Sequence, residues 1–546
     1  MLSSAAPEGT RFDAIVIGAG IAGLLAATEL QSRGYRVLVL EHNHQAGGLM
    51  SGIWRRGFYF ETGCQSFEDM GIVFPLLEQY GLGDLARFRR AHYRIVLPGF
   101  DAVVESLPQL RAAFQRAFPE SAQGFGRIFD LHERTSHLIR RLFTPDQVPY
   151  VRDENGRARW LLRALGEGWR SPTGLARQLS FLRTALLDDF TDWYERNLPP
   201  SGVRDLLSRC GYSRMNVFVA SAFWHLWAHD YWYPEGGFQA FFNRWVRRLE
   251  ARGTRFLFKR TVTGFEKQGG RVAAVATRKG NRFEASEVVY AGDYRQLARR
   301  LIGSEHFGTG ELARLDRARH SDAMVSVYLG LDVAPEELRE RLVSSHVFYC
   351  PNTRCRTALD PAPGAHRDAF LEVTAHSMSD PALAPAGRSS VVLQAFTRHD
   401  WLNGWGTGLT GDTAREGPSG RRPPEYRRLK RQVAAELVAV FEGLFPGAAS
   451  RVAYCDVGTP PSAVRFTRNA FGGTCGFELN WRNFPFMNPL AHVATPIDNL
   501  HAAGHFTVWP GAVPTAALSG KIAALRAHRR LARRRSPLVR QREGAR

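Results

Sequence analysis

Residues 13–48 read DAIVIGAGIAGLLAATELQSRGYRVLVLEHNHQAGG, and the reading of this stretch decides the fold. Residues 14–17 form a short β-rich run suited to a buried parallel strand. Gly18 permits the tight turn out of the strand. Gly20 lets the backbone approach a pyrophosphate, and Gly23 lets the next helix lie against the strand. That helix starts at Ile21 and Ala22, presents Leu24, Leu25, Thr28 and Leu30 to the sheet, and stops at Gly34. Its N-terminus offers unpaired N–H groups and the positive end of its dipole to phosphates. Such terms are worth roughly 0.3–2 kcal/mol, which orients a ligand without accounting for tight binding.

Residues 35–40 give the second strand. Glu41 at its end stands where a carboxylate binds both ribose hydroxyls, and where a 2′-phosphate would be repelled. A lone glycine pattern is weak evidence. Here both strands, the helix, the acid and the Gly47-Gly48 doublet agree on a dinucleotide seat. The alternative, a glycine-rich βαβ turn without a ligand, leaves Glu41 unexplained.

The segment after Glu41, HNHQAGGLMSGIWRRGFYFETGCQSF, selects the dinucleotide. Gly47, Gly48, Gly52, Gly57, Phe58, Phe60, Glu61 and Gly63 strongly resemble the doublet and hairpin of FAD-containing oxidoreductases of the amine oxidase and phytoene desaturase superfamily. Many members carry an Arg after the doublet that touches the FAD phosphates. This chain has Leu49 instead, and the carotenoid isomerase-like branch also lacks that Arg, so the contact is not carried over. Three later blocks share the resemblance. Tyr233-Pro234-Glu235-Gly236-Gly237 looks like the family's YPxGG segment. Val262 matches the position whose backbone meets the adenine, and Gly292 follows a strand that completes the cofactor domain. Near the end, residues 499–520 look like the flavin motif, with Gly504, His505, Trp509 and Val513 beside the cofactor. Many members have Asp at the place of His505, which puts one ribityl contact in doubt. His42 reads as a ribose-side residue.

The resemblance implies FAD as cofactor and an α/β fold. This is a discontinuous Rossmann-like FAD-binding domain (about 11–90, 233–310 and 490–528) plus a mixed-sheet substrate domain (311–489). A helical region (91–232) is expected to face a membrane, and a basic tail closes the chain (529–546). Residues 324–331, 368–373 and 391–396 read as strands of the mixed sheet, and residues 429–445 as an amphipathic helix.

The chain has 546 residues, 44% of them apolar, enough for two or three connected domains. Its six cysteines are scattered and read as free thiols of a reducing compartment, and no metal-ligand spacing is present. No positively charged, then apolar, leader opens it, and no stretch has the ~18 apolar residues of a membrane span. The formal charge of +20, concentrated after Arg526, suits an anionic membrane face better than nucleic acid, for which no recognition module appears. A soluble basic surface is the plain alternative. Three helical stripes support an interface: Leu110, Ala113, Phe114, Ala117 and Phe118; Ile128, Leu131, Leu138, Ile139, Leu142 and Phe143; and Leu175, Leu179, Leu182 and Leu186. Each runs beside arginines. Ordinary core packing would produce the same pattern. A cytoplasmic, peripheral membrane protein is expected.

No nucleophile elbow or metal cluster accompanies the flavin segments. That fits a reaction whose hard step belongs to the cofactor, leaving the protein to hold an apolar substrate and manage protons. The family's substrates are carotenoids, retinol and fatty-acyl chains. Desaturation, saturation or isomerisation of carbon–carbon bonds in a long hydrophobic lipid is therefore expected, with quinone or oxygen as electron acceptor. Phe218, Phe223, Trp224, Trp227, Tyr231, Trp232, Trp401, Trp405, Trp481, Phe484, Phe486 and Trp509 are candidates to line a tunnel, although core packing is the commoner role for each but Trp509, which the C-terminal motif places near the flavin. Trp509, His505 and Glu235 are the candidate catalytic residues. A flavin amine oxidase and a non-catalytic isoprenoid-lipid carrier of the same fold are the rival readings.

Overall fold

The structure, a computed structural model, describes residues 11–142, 171–356, 362–410, 422–480, 493–508 and 511–535. Two seven-stranded sheets organise it. In the first, strands Arg255–Leu257, Val37–Leu40, Arg11–Ile17 and Arg282–Tyr290 lie side by side and parallel. Leu500–Ala502 adds a parallel strand beside the upper half of Arg282–Tyr290, and the antiparallel pair Arg271–Thr277 and Val262–Gln268 continues from its lower half. Parallel strands covered on both faces read as continuous apolar runs, and VLVL at Val37–Leu40 is buried throughout.

The register puts Leu257, Leu40, Ile17, Tyr290 and Ala502 in one row. The carboxyl ends of five strands therefore finish at one edge, which is where open α/β sheets bind ligands. Helices Ile21–Ser32 and Val513–Arg535 pack together on one face of this sheet, with Leu24, Leu25, Leu30, Ala517, Leu518 and Ile522 buried between them. Burying a leucine-sized side chain contributes about 1.5–3 kcal/mol.

The second sheet runs in the order Val452–Gly458, Ala323–Leu331, Ser389–Thr397, Leu371–Thr374, His346–Tyr349, Tyr93–Leu97, Phe100–Val104. It is mixed: His346–Tyr349 and Tyr93–Leu97 are parallel and the remaining neighbours antiparallel. Helix Pro424–Glu442 covers one face, packing Leu429, Val433, Leu437 and Phe441 onto Val325, Val327, Leu371, Val373 and Leu393. The opposite face looks into the molecule. Strands Tyr93–Leu97 and Phe100–Val104 belong to this sheet, so the stretch 91–232 is not purely helical as expected. Alternation in YRIVL, buried at Tyr93, Ile95 and Leu97, carries the strand.

The helices of that stretch form a third layer. Leu110 and Phe114 of the first stripe, and Ile128, Leu131, Leu138 and Ile139 of the second, are core, with the Phe100 and Phe114 rings stacked 4.1 Å apart. Phe143 of the second stripe and the end of the basic tail, 536–546, lie outside the described residues. In helix Pro172–Leu187 the buried residues are Phe181 and Ala185, while Leu179 is 51% and Leu187 44% exposed. Of the third stripe only Leu179 is turned outward, since Leu182 and Leu186 pack against the core; the exposed Leu187 lies outside the stripe. Helix Val217–His229 is a core helix, and His225 inside it is bonded to Ser136 at 2.7 Å. The arginines after Arg526 are helical up to Arg535, and Arg530 is engaged by Glu287 at 3.4 Å and Asp498 at 3.2 Å. Among the described residues no helix is long and apolar enough to cross a membrane.

Candidate active site

The strand-end row opens onto a cavity of about 1300 Å³. Of the expected cofactor positions, Gly18, Gly20, Ile21, Ala22, Glu41, His42, Gly47, Gly48, Leu49, Gly63, Val262, Gly292, Gly504, His505 and Val513 all line it. Gly23 does not, because its task is packing. A Cβ there would stand 1.9 Å from the Gly18 carbonyl oxygen, so no other residue lets the helix start so close to the strand. Gly18 itself has φ +102°, a conformation that disfavours side chains.

The cradle is continuous backbone. Gly47 donates its N–H to the Ala19 carbonyl at 2.9 Å, and a Cβ on Gly48 would lie 3.3 Å from the Gly20 Cα. No acidic residue occupies the first turn of helix Ile21–Ser32, so its positive end stays available to an anion. Glu41 is buried at the end of its strand. Its carboxylate accepts the Ala19 N–H at 2.7 Å and the Asn43 N–H at 2.6 Å. Burial pushes its pKa up, while those amides pull it down. A carboxylate has about four acceptor positions, so lone pairs remain for ribose hydroxyls. His42 sits beside it, bonded to the Thr261 hydroxyl at 2.8 Å and the Arg465 carbonyl at 3.1 Å.

At the far end, a Cβ on Gly63 would meet the Leu49 carbonyl oxygen at 2.2 Å, so the two cofactor-side loops touch through backbone. The C-terminal helix begins on the same cavity, and the Val513 N–H is held by Glu68 at 2.9 Å. His505 faces the cavity beside Asn469, 3.3 Å away, and desolvation lowers its pKa to about 4, so it is neutral near pH 7. Trp509, Trp481, Phe484 and Phe486 lie outside the described residues. Glu235 is not brought to the site. It pairs with Arg89 at 2.7 Å with its side chain 37% exposed, because only its neighbour Gly236 turns toward the cavity.

Beyond Gly63 the cavity widens into an aromatic chamber. Tyr93, Phe223, Trp224, Trp227, Tyr231, Phe348, Phe370 and Phe396 line it. Phe348 sits 4.8 Å from Tyr93 and 4.9 Å from Trp227, ring to ring. Phe218, Trp232, Trp401 and Trp405 are placed elsewhere, the last two buried behind the second sheet.

Two acids in this chamber carry no signal in the local sequence. Desolvation raises the pKa of Glu68 to about 7 and that of Glu372 to about 7. A third, Glu61, is raised by burial to about 8. It lies behind the cavity wall, where one of its oxygens accepts from Tyr59 at 3.0 Å, Tyr233 at 2.8 Å and the Phe238 N–H at 2.8 Å. Glu61 thus braces the hairpin and the YPxGG segment against each other. Among the described residues no three His, Cys, Asp or Glu side chains converge on a metal position.

Fold and site together define a dinucleotide-dependent oxidoreductase whose cofactor seat and apolar substrate chamber share one cavity. The model of the flavin containing amine oxidoreductases matches residues 21–415, and the chain belongs to that family. A flavin held in a dinucleotide seat is FAD, and the cradle, Glu41 and the C-terminal helix start fit it. The zebrafish (Danio rerio) all-trans-retinol 13,14-reductase is 23% identical over 92% of this chain and 83% of its own. The all-trans-zeta-carotene desaturase of Myxococcus xanthus is 28% identical over 71% of this chain and 74% of its own. Among solved structures, a putrescine oxidase variant superposes with a TM-score of 0.59 at 16% identity, covering 95% of this chain and 99% of that one. At that identity the likeness speaks for the fold.

Proposed function

We propose that this enzyme adds or removes hydrogen across carbon–carbon bonds of a long conjugated or isoprenoid chain. One observation carries the reading: the dinucleotide seat and the aromatic chamber are a single cavity of about 1300 Å³. That is more than the ~300–1,000 Å³ of a drug-sized ligand site. That volume must hold the dinucleotide as well, and what adjoins the seat is walled by aromatic rings, which suits a hydrocarbon. The relatives named for retinol and zeta-carotene agree in substrate class.

FAD, when bound, accepts or gives a hydride equivalent at the substrate carbon. The chain's own residues do the rest. Gly18, Gly20 and the helix start hold the pyrophosphate, Glu41 orients the ribose, and the aromatic walls exclude water from the reacting bond. Electrons enter or leave through a quinone, oxygen or another two-electron partner. The substrate reaches the chamber from a membrane surface. The outward Leu179 and Leu187, beside Arg177 and Arg183, with the arginines at the chain's C-terminus, are suited to anionic lipid.

The test is a product assay on purified holoprotein with zeta-carotene, all-trans-retinol and putrescine, read by mass spectrometry. A change of two mass units in a polyene is expected. Turnover of the amine alone, or a flavin-free preparation, would overturn the reading. Flotation with phosphatidylserine vesicles at low salt, lost at high salt, is the expected result for the membrane step.

A further inference from the structure

One register row of the second sheet crosses the chamber floor: Ile95, Phe348, Glu372, Gln394 and Ser326. Glu372 is its only ionisable member. In strand Leu371–Thr374 the side chains of Leu371 and Val373 enter the core behind the sheet, so Glu372 points the other way. It lies deep in the molecule and yet keeps accessible surface, because what it faces is the cavity.

Its neighbours connect it to the cofactor side. The Tyr93 hydroxyl meets Glu372 Oε1 at 3.2 Å and Ser66 Oγ at 2.9 Å. Next in the row, the Gln394 amide donates to the Gly63 carbonyl at 3.1 Å and to Ser326 Oγ at 2.9 Å. Thr374 donates to Gln65 Oε1 at 2.8 Å. The floor is thus tied to residues 63–66, the segment beside Leu49.

The other two buried acids are committed elsewhere. Glu68 uses Oε1 for the Tyr231 hydroxyl at 3.3 Å and Oε2 for the Val513 N–H. Glu61 does not reach the cavity. Glu372 Oε2 has no hydrogen-bond partner among the described residues, and no cation perturbs the group.

We propose that Glu372 is the acid–base group of the reaction, its Oε2 exchanging a proton with the substrate carbon adjacent to the one that exchanges a hydride with FAD. The inference rests on the polyene reading of the cavity. In the saturating direction a carbon–carbon double bond gains two C–H bonds. One receives the hydride with its electron pair, and the other receives the Glu372 proton. Glu372 is left a carboxylate and is reprotonated from solvent, and an external two-electron donor such as a reduced nicotinamide restores the cofactor. In the desaturating direction Glu372 takes the proton, and the electrons pass to a quinone or oxygen. A carboxyl is suited to both because its proton affinity lies close to working pH.

The experiment compares wild type, Glu372→Gln and Glu372→Asp as FAD-loaded proteins with zeta-carotene and all-trans-retinol in deuterated water. Flavin absorbance and thermal melting establish that each variant is folded and loaded. Turnover is expected to fall 100-fold or more in Glu372→Gln and to recover in part in Glu372→Asp. In the saturating direction solvent deuterium enters the wild-type product at the carbon that receives the proton. The wild-type pH profile shows a limb near 7 that the residual Glu372→Gln activity lacks. Turnover by Glu372→Gln within threefold of wild type, with an unchanged pH profile, overturns the role of Glu372. A loaded wild-type protein that transforms neither polyene overturns the polyene reading instead.

Discussion

Gly520 in the C-terminal helix faces the Ala22 carbonyl so closely that a Cβ at 520 would stand 2.0 Å from the oxygen. Ala22 lies in the first turn of helix Ile21–Ser32, within the Gly18–Gly23 motif, so this crossing sets where the helix start points. Backbone cannot yield as a flexible side chain can. Gly520→Val should therefore cost about 1–3 kcal/mol or more through overpacking, and should lower the flavin-to-protein ratio of the purified protein. Unchanged melting and full flavin content would show that the helix pair tolerates separation.

Glu41→Gln tests the ribose contact. Gln offers one acceptor oxygen where Glu41 now serves two amides. Weaker FAD binding is expected, about 10–100-fold, or roughly 1.4–2.8 kcal/mol. Fluorescence titration of the apoprotein with FAD measures it. An unchanged Kd would remove Glu41 from the seat.

The buried acids make stability fall on the alkaline side. Glu61 titrates near 8, Glu68 and Glu372 near 7, all raised by desolvation from the ordinary carboxyl value of 4.5. Above 4.5 the unfolded chain has released these protons while the folded chain keeps them, so the folded state binds more protons and loses stability as pH rises. Each acid contributes a slope of about 1.4 kcal/mol per pH unit until it ionises in the fold. His132 at about 3 and His346 at about 4 act oppositely. The unfolded chain binds their protons first, so they favour folding as pH rises, but only up to about 6.5, the ordinary imidazole value. Tm should therefore decline between about pH 6.5 and 8. Glu61→Gln, which keeps an acceptor for Tyr59 and Tyr233, should flatten that decline. A Tm that rises over this range in wild type contradicts the sign.

Phe348 closes the chamber between Tyr93 and Trp227. Phe348→Ala enlarges a wall already bordered by cavity, so the effect should fall on substrate placement more than on folding. A tenfold or larger drop in kcat/KM for the preferred polyene is expected, with a changed position of the modified bond. Product regiochemistry by mass spectrometry reads this directly.

Leu179 and Leu187 are the exposed large apolar residues of helix Pro172–Leu187. Replacing both by Ser should reduce flotation with phosphatidylserine vesicles several-fold while leaving flavin content unchanged. Equal flotation would move the attachment to the basic C-terminus, and truncation after Arg535, which removes three of its arginines, would then weaken it.

Residues 13–48 announced the dinucleotide seat because every determinant there is local. Strand, turn, helix and acid are contiguous, and glycine spacing reports backbone geometry directly. The Gly47-Gly48 doublet and Gly504, His505 and Val513 were legible through the family resemblance, and all of them line the cavity. The amphipathic stripes were not decided locally. Stripes of equal periodicity became core at Phe114 and Ile128, while the third packs Leu182 and Leu186 on the core and leaves Leu179 exposed, since periodicity marks a face without naming its neighbour. Glu235, adjacent to the cavity-lining Gly236, was carried outward to Arg89, because the chain turns there, with Gly236 at φ +81° leading into helix Gly237–Ala251.

By itself, then, the sequence determined the dinucleotide seat and its parallel strands from short-range pattern, and FAD and an apolar substrate region through its resemblance to a family. Only the tertiary structure decided which polar groups share that apolar space. Glu372 alternates with Leu371 and Val373 as a solvent-facing strand residue would. Its desolvation, and the tie of its strand and row neighbours to residues 63–66, arise from Tyr93, Gln394 and Gln65, whose closeness is set by sheet register and loop packing across hundreds of residues.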